Sequence, residues 1–287
     1  MMKMKKMNGK LIGRLMVAAV ILGVLTCSLV SEAASGMLKI KGSDTVLPLS
    51  AAWAEAYMKK HPDTVISVTG GGSGTGIAAL INGTADIANA SREAKPKEIS
   101  QARDRNVILK PIPVAKDGVA VIVNPKNKVQ GLTMVQLAKI YSGAASWKEF
   151  GGEDMKIVAC GRDSSSGTYV YFQDTVLGGR RYRTDMLTLP SNNAICQTVA
   201  QDKGAIGYVG LAYAKEFVAK NKVKIIPING VVASDETVIS GKYPLWRPLY
   251  CYTNGKAKGL AADFLKFALS AEGQSIVEKV GYVAISR

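Results

Sequence analysis

Three short loops of the sequence combine glycine with serine or threonine, and each lies between a predicted strand and a predicted helix. They are Gly42-Ser43-Asp44-Thr45, the glycine-rich segment 70–76, and Ser164-Ser165-Ser166-Gly167-Thr168. A helix start leaves backbone N–H groups unpaired and carries a partial positive charge, so it suits an anion. Glycine lets the backbone approach a ligand, and hydroxyl groups add hydrogen-bond donors. Each loop alone is better explained as an ordinary turn with an N-cap. The three together predict an oxyanion site.

Two arginines could supply the positive charge of such a site. Arg162 stands two residues before the serine tract, and its planar guanidinium matches the geometry of an oxyanion. Arg92 follows Ser91 at the end of a predicted strand, where a plain surface position is an equal alternative. Both arginines are candidate anion contacts.

Several other chemistries are excluded by the residues themselves. His61 is the sole histidine of the 287 residues, which excludes any site that needs two imidazoles, including H-E-x-x-H zinc chemistry. The sequence contains no G-x-x-x-x-G-K-[ST], G-x-G-x-x-G or G-x-S-x-G pattern, and its aromatic residues form no RNA-binding pattern. We therefore expect no metal, no organic cofactor and no nucleic acid partner.

The N-terminal segment carries part of the basic excess. The chain has 37 Lys plus Arg against 22 Asp plus Glu, a formal net charge of +15. Residues 1–33 combine a basic start, the apolar run Leu15–Leu25, and Ser31 and Ala33 at a small-residue cleavage site, which is typical of an export signal. The apolar run is too short for a membrane anchor. A lipid anchor at Cys27 is the less favoured alternative, since the residue before it is large for such a signal.

The chain that remains after cleavage should be a periplasmic or otherwise extracytoplasmic monomer with a net charge of about +11. Its three cysteines, Cys160, Cys196 and Cys251, match no metal-binding or redox motif. An oxidising compartment allows one disulfide with one thiol left over, and three buried free thiols are equally consistent with the sequence.

Strand and helix patterns alternate along the mature chain. β-Branched and apolar runs predict strands, and apolar residues spaced by three and four predict helices. The predicted strands are Leu38–Lys41, Thr64–Thr69, Ala85–Ala90 and Lys156–Cys160, and the predicted helices are Pro48–Lys60, Ile77–Ile81, Tyr169–Leu177 and Leu260–Val280. This order predicts an α/β architecture with parallel sheets.

Two long extended runs, Ile112–Asn124 and Tyr243–Thr253, predict crossings between two lobes. Two crossings divide the chain into a discontinuous lobe 1, residues 34–117 plus 246–287, and an inserted lobe 2, residues 118–245. Ligands of such folds bind at the carboxyl ends of strands, which places the ligand cleft between the lobes.

Six stretches of the chain, taken in order, resemble the phosphate-binding proteins of bacterial ABC-type phosphate uptake systems. They are Gly42-Ser43-Asp44-Thr45-Val46, Gly71-Gly72-Ser73-Gly74-Thr75-Gly76, Asp86-Ile87-Ala88-Asn89-Ala90-Ser91-Arg92, Arg162-Asp163-Ser164-Ser165-Ser166-Gly167-Thr168, Gly204-Ala205-Ile206-Gly207-Tyr208-Val209 and Gly241-Lys242-Tyr243-Pro244-Leu245. The resemblance runs from about residue 38 to residue 285. Any one stretch is a weak signal, and the ordered set is specific.

The resemblance implies a two-lobed periplasmic-binding-protein fold, with two crossover strands and the ligand cleft between the lobes, that closes on one phosphate ion. It also implies delivery of the ion to a membrane permease with cytoplasmic ATPase subunits, without an enzymatic step. The family's anion contacts fall on Asp44, Thr45, Ser73, Arg162, Ser166, Gly167 and Thr168 of this chain.

Two positions depart from the family pattern. Where the family has a carboxylate that accepts a hydrogen bond from phosphate, this chain has Ser91, followed by Arg92. The carboxylate that fixes the family arginine is replaced by Ser164, with Asp163 beside it. Phosphate keeps a proton at neutral pH and sulfate does not, so a buried carboxylate admits phosphate and repels sulfate. We expect Asp44 to supply this acceptor, and an N-cap of the following helix is an equal alternative.

Two other functions remain open from the residues alone. The same fold could bind another oxyanion, such as sulfate, molybdate or a phosphonate. A secreted phosphatase could use Ser73 or Ser166 as a nucleophile, but His61 lies outside all three loops, so this reading lacks an evident base.

Overall fold

The computed structural model describes residues 36–285, and the predicted export signal and Cys27 lie outside the described residues. The strands are β1 Met37–Gly42, β2 Val65–Thr69, β3 Ile87–Ala90, β4 Leu109–Val123, β5 Val158–Gly161, β6 Leu187–Thr188, β7 Ala205–Gly210, β8 Lys224–Ile225 and β9 Trp246–Asn254. The helices are α1 Leu47–Lys60, α2 Ser73–Ile81, α3 Pro96–Asp104, α4 Met134–Ser142, α5 Gly167–Leu177, α6 Asn192–Gln201, α7 Leu211–Ala219, α8 Asp235–Ile239, α9 Gly259–Ala268 and α10 Ala271–Val280. None of these helices has the length and apolar character that a membrane span needs.

The strands pair along one path, in the order β2-β1-β3-β9-β4-β7-β5-β6, and β8 pairs with β4. Strand β1 is parallel to β2 and β3, and β5 is parallel to β6 and β7, which confirms the predicted α/β architecture. The prediction of parallel pairing is wrong for β4 and β9, which are antiparallel to all of their neighbours. The reason is that β4 leads the chain from the first group of strands to the second, and β9 leads it back.

Strands β4 and β9 are the two predicted crossings. They form an antiparallel ladder from the pair Leu109–Asn254 to the pair Gly118–Trp246, and β4 then pairs with β7 from Val119 onward. One buried apolar cluster takes almost all of its members from residues 119–245, and two others take theirs mainly from residues before 116 and after 248. These separate clusters suit the expected lobes, whose boundaries stay a prediction.

Helix α1 forms where the apolar spacing predicts it. Pro48 lies in its first turn, where a missing N–H costs nothing. Leu49, Trp53 and Tyr57 are buried on one stripe, and Trp53 Nε1 donates a hydrogen bond to the Gly273 carbonyl at 2.8 Å. This contact joins the first helix of the described chain to the last one.

The single predicted helix Leu260–Val280 is wrong, because two helices occupy this segment. Helix α9 ends at Ala268, and Ser270 then caps α10 by accepting a hydrogen bond from the Gly273 N–H at 3.2 Å. A Cβ atom on Gly273 would lie 2.2 Å from the Phe267 carbonyl oxygen, so glycine permits the close turn between the helices.

Candidate functional site

Asp44 lies in the turn between β1 and α1, and its carboxylate is held by two other elements. Oδ2 accepts hydrogen bonds from Arg162 Nη1 at 3.1 Å, from the Asn192 backbone N–H at 2.8 Å and from Asn192 Nδ2 at 2.6 Å. The alternative of an N-cap for α1 is wrong, since Val46 is the N-cap residue and no side chain bonds there. The carboxylate lies instead at the start of α6, where a free amide and the helix dipole favour a negative charge.

Thr45 and Thr168 bring the first and third loops into direct contact, with their Oγ1 atoms 2.9 Å apart. Arg247 Nη2, from β9, donates to Thr168 Oγ1 at 2.9 Å and to Thr45 Oγ1 at 3.4 Å. Asp117 stands opposite Arg247 in the ladder, accepts from its Nη2 at 3.0 Å, and accepts from the Leu211 N–H at 3.2 Å. Burial raises the pKa of the Asp117 carboxyl above its usual value, against the opposing effect of the Arg247 guanidinium.

Ser73, Ser91 and Gly167 join the glycine-rich loop to the other two loops. Ser73 Oγ accepts from the Ser91 N–H at 3.0 Å, and Ser43 Oγ donates to Ser91 Oγ at 3.0 Å. A Cβ atom on Gly167 would lie 2.2 Å from Ser73 Oγ and 2.5 Å from Ser91 Oγ. The approach of the third loop to these serines therefore requires glycine.

Two helix starts meet at this cluster. Helix α2 begins at Ser73, four residues earlier than predicted, and α5 begins at Gly167 with Ser166 as its N-cap residue. Ser166 Oγ accepts from the Tyr169 N–H at 3.3 Å. The Gly74 amide of α2 and the Tyr169 amide of α5 already bond to protein oxygens, whereas the amides of Ser73, Gly167 and Thr168 have no partner among the described residues and can bind an acceptor.

The glycine-rich loop and the serine tract also touch along their backbones. The Gly74 N–H donates to the Ser165 carbonyl at 2.9 Å, and Ser165 Oγ donates to the Gly71 carbonyl at 3.2 Å. Gly72 has a φ of +102°, and a Cβ there would lie 2.7 Å from the Ser165 carbonyl oxygen. Glycine is therefore required at this position by both its conformation and its neighbour.

Arg92 lies at the edge of the cluster with its guanidinium bound to Glu98. The two groups form a bidentate pair, with Nη1–Oε2 at 2.8 Å and Nη2–Oε1 at 2.7 Å. Glu98 also accepts from the Lys95 N–H at 2.7 Å as part of the cap of α3. The Arg92 side chain is only 5% exposed, and its Nη2 borders Gly74. A contact between Arg92 and an anion stays a prediction.

The structure thus brings most of the predicted site residues into one cluster, in which all members but the partly exposed Asp44 are buried. Its members from the sequence prediction are Asp44, Thr45, Ser73, Ser91, Arg162, Ser166, Gly167 and Thr168. The sequence reasoning missed Asn192, Asp117 and Arg247. Asp117 and Arg247 could have been recognised from the sequence, because charged residues within the apolar crossing runs are expected to be buried and paired. No feature of the sequence marks Asn192 as a site residue, because only the fold brings it to Asp44.

Two buried arginines have N–H donors that form no hydrogen bond with the described residues. Arg162 Nε and Arg247 Nη1 are buried and have no hydrogen-bond partner among the described residues, and each side chain is 2% exposed. A buried donor without a partner costs about 1–3 kcal/mol. The free donor of Arg162 suits an acceptor-rich ligand, because Arg162 belongs to the segment of the third loop.

The three described cysteines take no part in this cluster. Cys160, Cys196 and Cys251 are buried free thiols, so the alternative of a disulfide among them is wrong. Burial raises the pKa of each thiol to about 12. Within residues 36–285, no three His, Cys, Asp or Glu side chains form a group suited to a metal ion.

The fold and the buried donor cluster define a binding protein of the PBP superfamily, whose domain profile matches residues 30–272. The phosphate-binding protein PstS of Bacillus subtilis is 37% identical to this chain over 89% of this chain and 83% of the relative. PstS of Pseudomonas aeruginosa is 35% identical over 88% of this chain and 84% of the relative. The chain belongs to the PstS family of phosphate-binding proteins, which confirms the resemblance.

Solved structures confirm the expected periplasmic-binding-protein fold. A crystal structure from Clostridium perfringens, described as a phosphate ABC transporter substrate-binding protein with bound phosphate, matches with a TM-score of 0.79 and 33% identity. The match covers 88% of this chain and 100% of that chain. An ABC-type phosphate transport receptor from Vibrio cholerae matches with a TM-score of 0.71 and 29% identity, over 86% of this chain and 99% of that chain.

Proposed function

We propose that this chain binds inorganic phosphate outside the cytoplasmic membrane and delivers it to an ABC importer. The observation that carries this proposal is the buried Arg162 among the hydroxyl groups of three loops and the starts of α2 and α5. A tetrahedral oxyanion accepts hydrogen bonds from several directions, and this cluster offers donors from each loop. The relatives named above are phosphate-binding proteins, which favours phosphate over sulfate, molybdate or a phosphonate.

The chain would act as an exported monomer that hands phosphate to a permease with ATPase subunits. The export signal in residues 1–33 supports the location, and the Clostridium perfringens structure is described as an ABC transporter component. Binding would not be followed by hydrolysis. His61 stacks on the Tyr57 ring at the end of α1, with ring centroids 4.3 Å apart, so the nucleophiles considered above have no imidazole beside them.

Asp44 is suited to accept the proton that distinguishes phosphate from sulfate. Its Oδ2 receives all three hydrogen bonds from Arg162 and Asn192, and Oδ1 receives none of them. Oδ1 would accept a hydrogen bond from protonated phosphate. Sulfate has no proton to donate, so its oxygens would meet the carboxylate with uncompensated repulsion.

Titration calorimetry of residues 34–287 with phosphate, sulfate and molybdate tests the proposal. We expect one phosphate per chain and sulfate binding at least about 100-fold weaker, since an unpaired buried acceptor costs several kcal/mol. Tighter binding of sulfate or molybdate would assign another oxyanion. Turnover of p-nitrophenyl phosphate by the pure protein would overturn the binding-only function.

The variant Asp44→Asn tests the proton acceptor. We expect phosphate affinity to fall about 10- to 100-fold, with sulfate affinity unchanged or raised, because the variant loses a charge-assisted hydrogen bond to phosphate alone. The matched control is Asn192→Ala, which removes a donor to Oδ2 and leaves the carboxylate in place. It should weaken both anions equally. If Asp44→Asn also weakens both equally, Asp44 serves only to position Arg162.

A further inference from the structure

We propose that Arg247 is a positioning residue of the anion site, which sets the direction of the hydrogen bonds between Thr168, Thr45 and the ligand. The inference rests on the proposed function and concerns a residue in the crossing strand β9. Arg247 lies outside the three loops from which the sequence predicts the site. Its role follows from counting the donors and acceptors around the two threonine hydroxyl groups.

An arginine side chain can only donate hydrogen bonds. In the 2.9 Å contact between Arg247 Nη2 and Thr168 Oγ1, the threonine oxygen is therefore the acceptor. The contacts of Arg247 Nη2 and Asn192 Nδ2 with Thr45 Oγ1, each at 3.4 Å, have the same direction. Both threonine oxygens thus accept hydrogen bonds from nitrogen donors.

Each threonine hydroxyl has one proton of its own. One of the two protons fills the 2.9 Å contact between Thr45 Oγ1 and Thr168 Oγ1, whichever threonine donates. The other proton has no acceptor among the described residues, since every further contact of the two oxygens comes from a donor. One threonine proton is therefore left for a ligand that accepts hydrogen bonds, and phosphate oxygens are such acceptors.

The position of Arg247 suits a residue that orients the threonine hydroxyl groups better than a residue that supplies positive charge to the anion. Its Nε and Nη2 both face Asp117 Oδ2, at 3.3 and 3.0 Å, so the positive charge is already balanced. The guanidinium lies over the Tyr171 ring, 5.3 Å from the centroid, and is 2% exposed, so it has little freedom to turn. A fixed charged donor at the end of a hydroxyl chain also polarises each bond along the chain.

A double-mutant cycle on phosphate affinity tests this role. The first variant is Asp117→Asn with Arg247→Met, which removes the guanidinium without leaving a buried carboxylate unpaired. The second is Thr168→Val, which removes the hydroxyl that Arg247 contacts, and the third combines all three substitutions. We expect each of the first two variants to weaken phosphate binding about 10- to 100-fold, as for the loss of a hydrogen bond to a charged ligand. Titration calorimetry measures all three.

The combined variant shows whether Arg247 acts through Thr168 or independently of it. If Arg247 acts through Thr168, the combined variant should bind phosphate within about threefold of Thr168→Val alone, because the shared hydrogen bond is lost only once. If the fold losses in phosphate affinity of the first two variants multiply in the combined variant, the inference is overturned. The proposed function then stays intact, provided that the unmodified chain binds phosphate. If the unmodified chain binds no phosphate, both the inference and the proposed function are overturned.

A remote pair provides the matched control. Arg183 and Asp185 also form an arginine–aspartate ion pair, although the Asp185 side chain is 55% exposed, and Arg183 otherwise contacts the carbonyls of Ile140 and Ala144. Asp185→Asn with Arg183→Met should leave phosphate affinity unchanged. An equal loss in this control would mean that any arginine–aspartate deletion weakens binding through stability alone, which would overturn the positioning role.

A neutron structure of the deuterated unmodified chain with phosphate gives a test that needs no folded variant. We expect the Thr168 deuteron to point away from Arg247 and one threonine deuteron to lie on a phosphate oxygen. A structure in which both threonine deuterons are donated to protein or water oxygens would overturn the inference.

Discussion

Replacing Gly167 by alanine should separate the third loop from the glycine-rich loop. The new Cβ would lie 2.2 Å from Ser73 Oγ and 2.5 Å from Ser91 Oγ, whereas ordinary contacts begin at 3.4 Å. Both serine hydroxyl groups are held by hydrogen bonds to each other, to Ser43 and to the Ser91 N–H, so we expect the helix start to retreat by about 1.2 Å rather than the hydroxyls to rotate away. Gly167 has no positive φ, and alanine is the better helix former, so the backbone of α5 should tolerate the change.

The expected loss of affinity follows from this displacement. A shift of about 1.2 Å would lengthen the 2.9 Å contact between Thr45 Oγ1 and Thr168 Oγ1 to about 4 Å, beyond hydrogen-bond distance. The amides at the start of α5 would retreat from a bound anion by a similar amount. Two lost hydrogen bonds to a charged ligand are worth about 3–6 kcal/mol, which corresponds to a fall in phosphate affinity of about 10²- to 10⁴-fold.

Titration calorimetry with phosphate, together with a thermal melt, measures this effect. The control is Gly131→Ala, which also lacks a positive φ and whose Cβ would have Pro227 atoms as its nearest neighbours, at 3.3 to 3.7 Å. We expect the control to bind phosphate as the unmodified chain does. Phosphate affinity of Gly167→Ala within threefold of the unmodified chain would refute the steric reasoning, and a collapse of its melting temperature would show that the alanine disrupts the fold instead.

Three further predictions concern stability and reactivity. The three buried cysteines should not react with a disulfide reagent such as DTNB at pH 8, because their thiols are buried with pKa values of about 12. As the control, the unfolded chain 34–287 should release three equivalents of the coloured product. Trp53→Phe should lower the free energy of unfolding by about 1–3 kcal/mol in urea titrations, since the Gly273 carbonyl loses its donor at 2.8 Å. Ser270→Ala should lower it by about 1 kcal/mol, because α10 loses its N-cap, and Ser270→Asp should restore most of this loss.

The sequence predicts the local features of the fold well because their causes are local. The stripe of Leu49, Trp53 and Tyr57 marks α1, and Gly178 ends α5 in the left-handed conformation at a φ of +59°. The break in the last helix was also locally encoded, by Ser270, but the regular apolar spacing on both sides of it masks the cap. The two long extended runs predict the crossing strands, whereas their antiparallel pairing depends on the path of the whole chain.

The candidate site is predictable in part for the same reason. The three loops are visible because each combines glycine and hydroxyl residues within a few positions. The partners of those loops come from distant segments: Asn192 is 148 residues from Asp44, and Arg247 is 202 residues from Thr45. The prediction that Asp44 caps its own helix or binds the ligand considered only near neighbours. The structure adds Arg162 and Asn192 as its partners, and only the tertiary fold brings them together.

Every arginine at this cluster already has a carboxylate of its own: Arg162 pairs with Asp44, Arg247 with Asp117, and Arg92 with Glu98. A captured phosphate would therefore be held by partial charges and hydrogen bonds, with no full charge left over to neutralise it. Such a hold depends on the distance and the direction of each hydrogen bond. Moving the first and third loops apart by one or two ångströms would also stretch the Arg162–Asp44 pair, which is 3.1 Å long and joins them. Release of the ion would therefore be coupled to the breaking of this one ion pair.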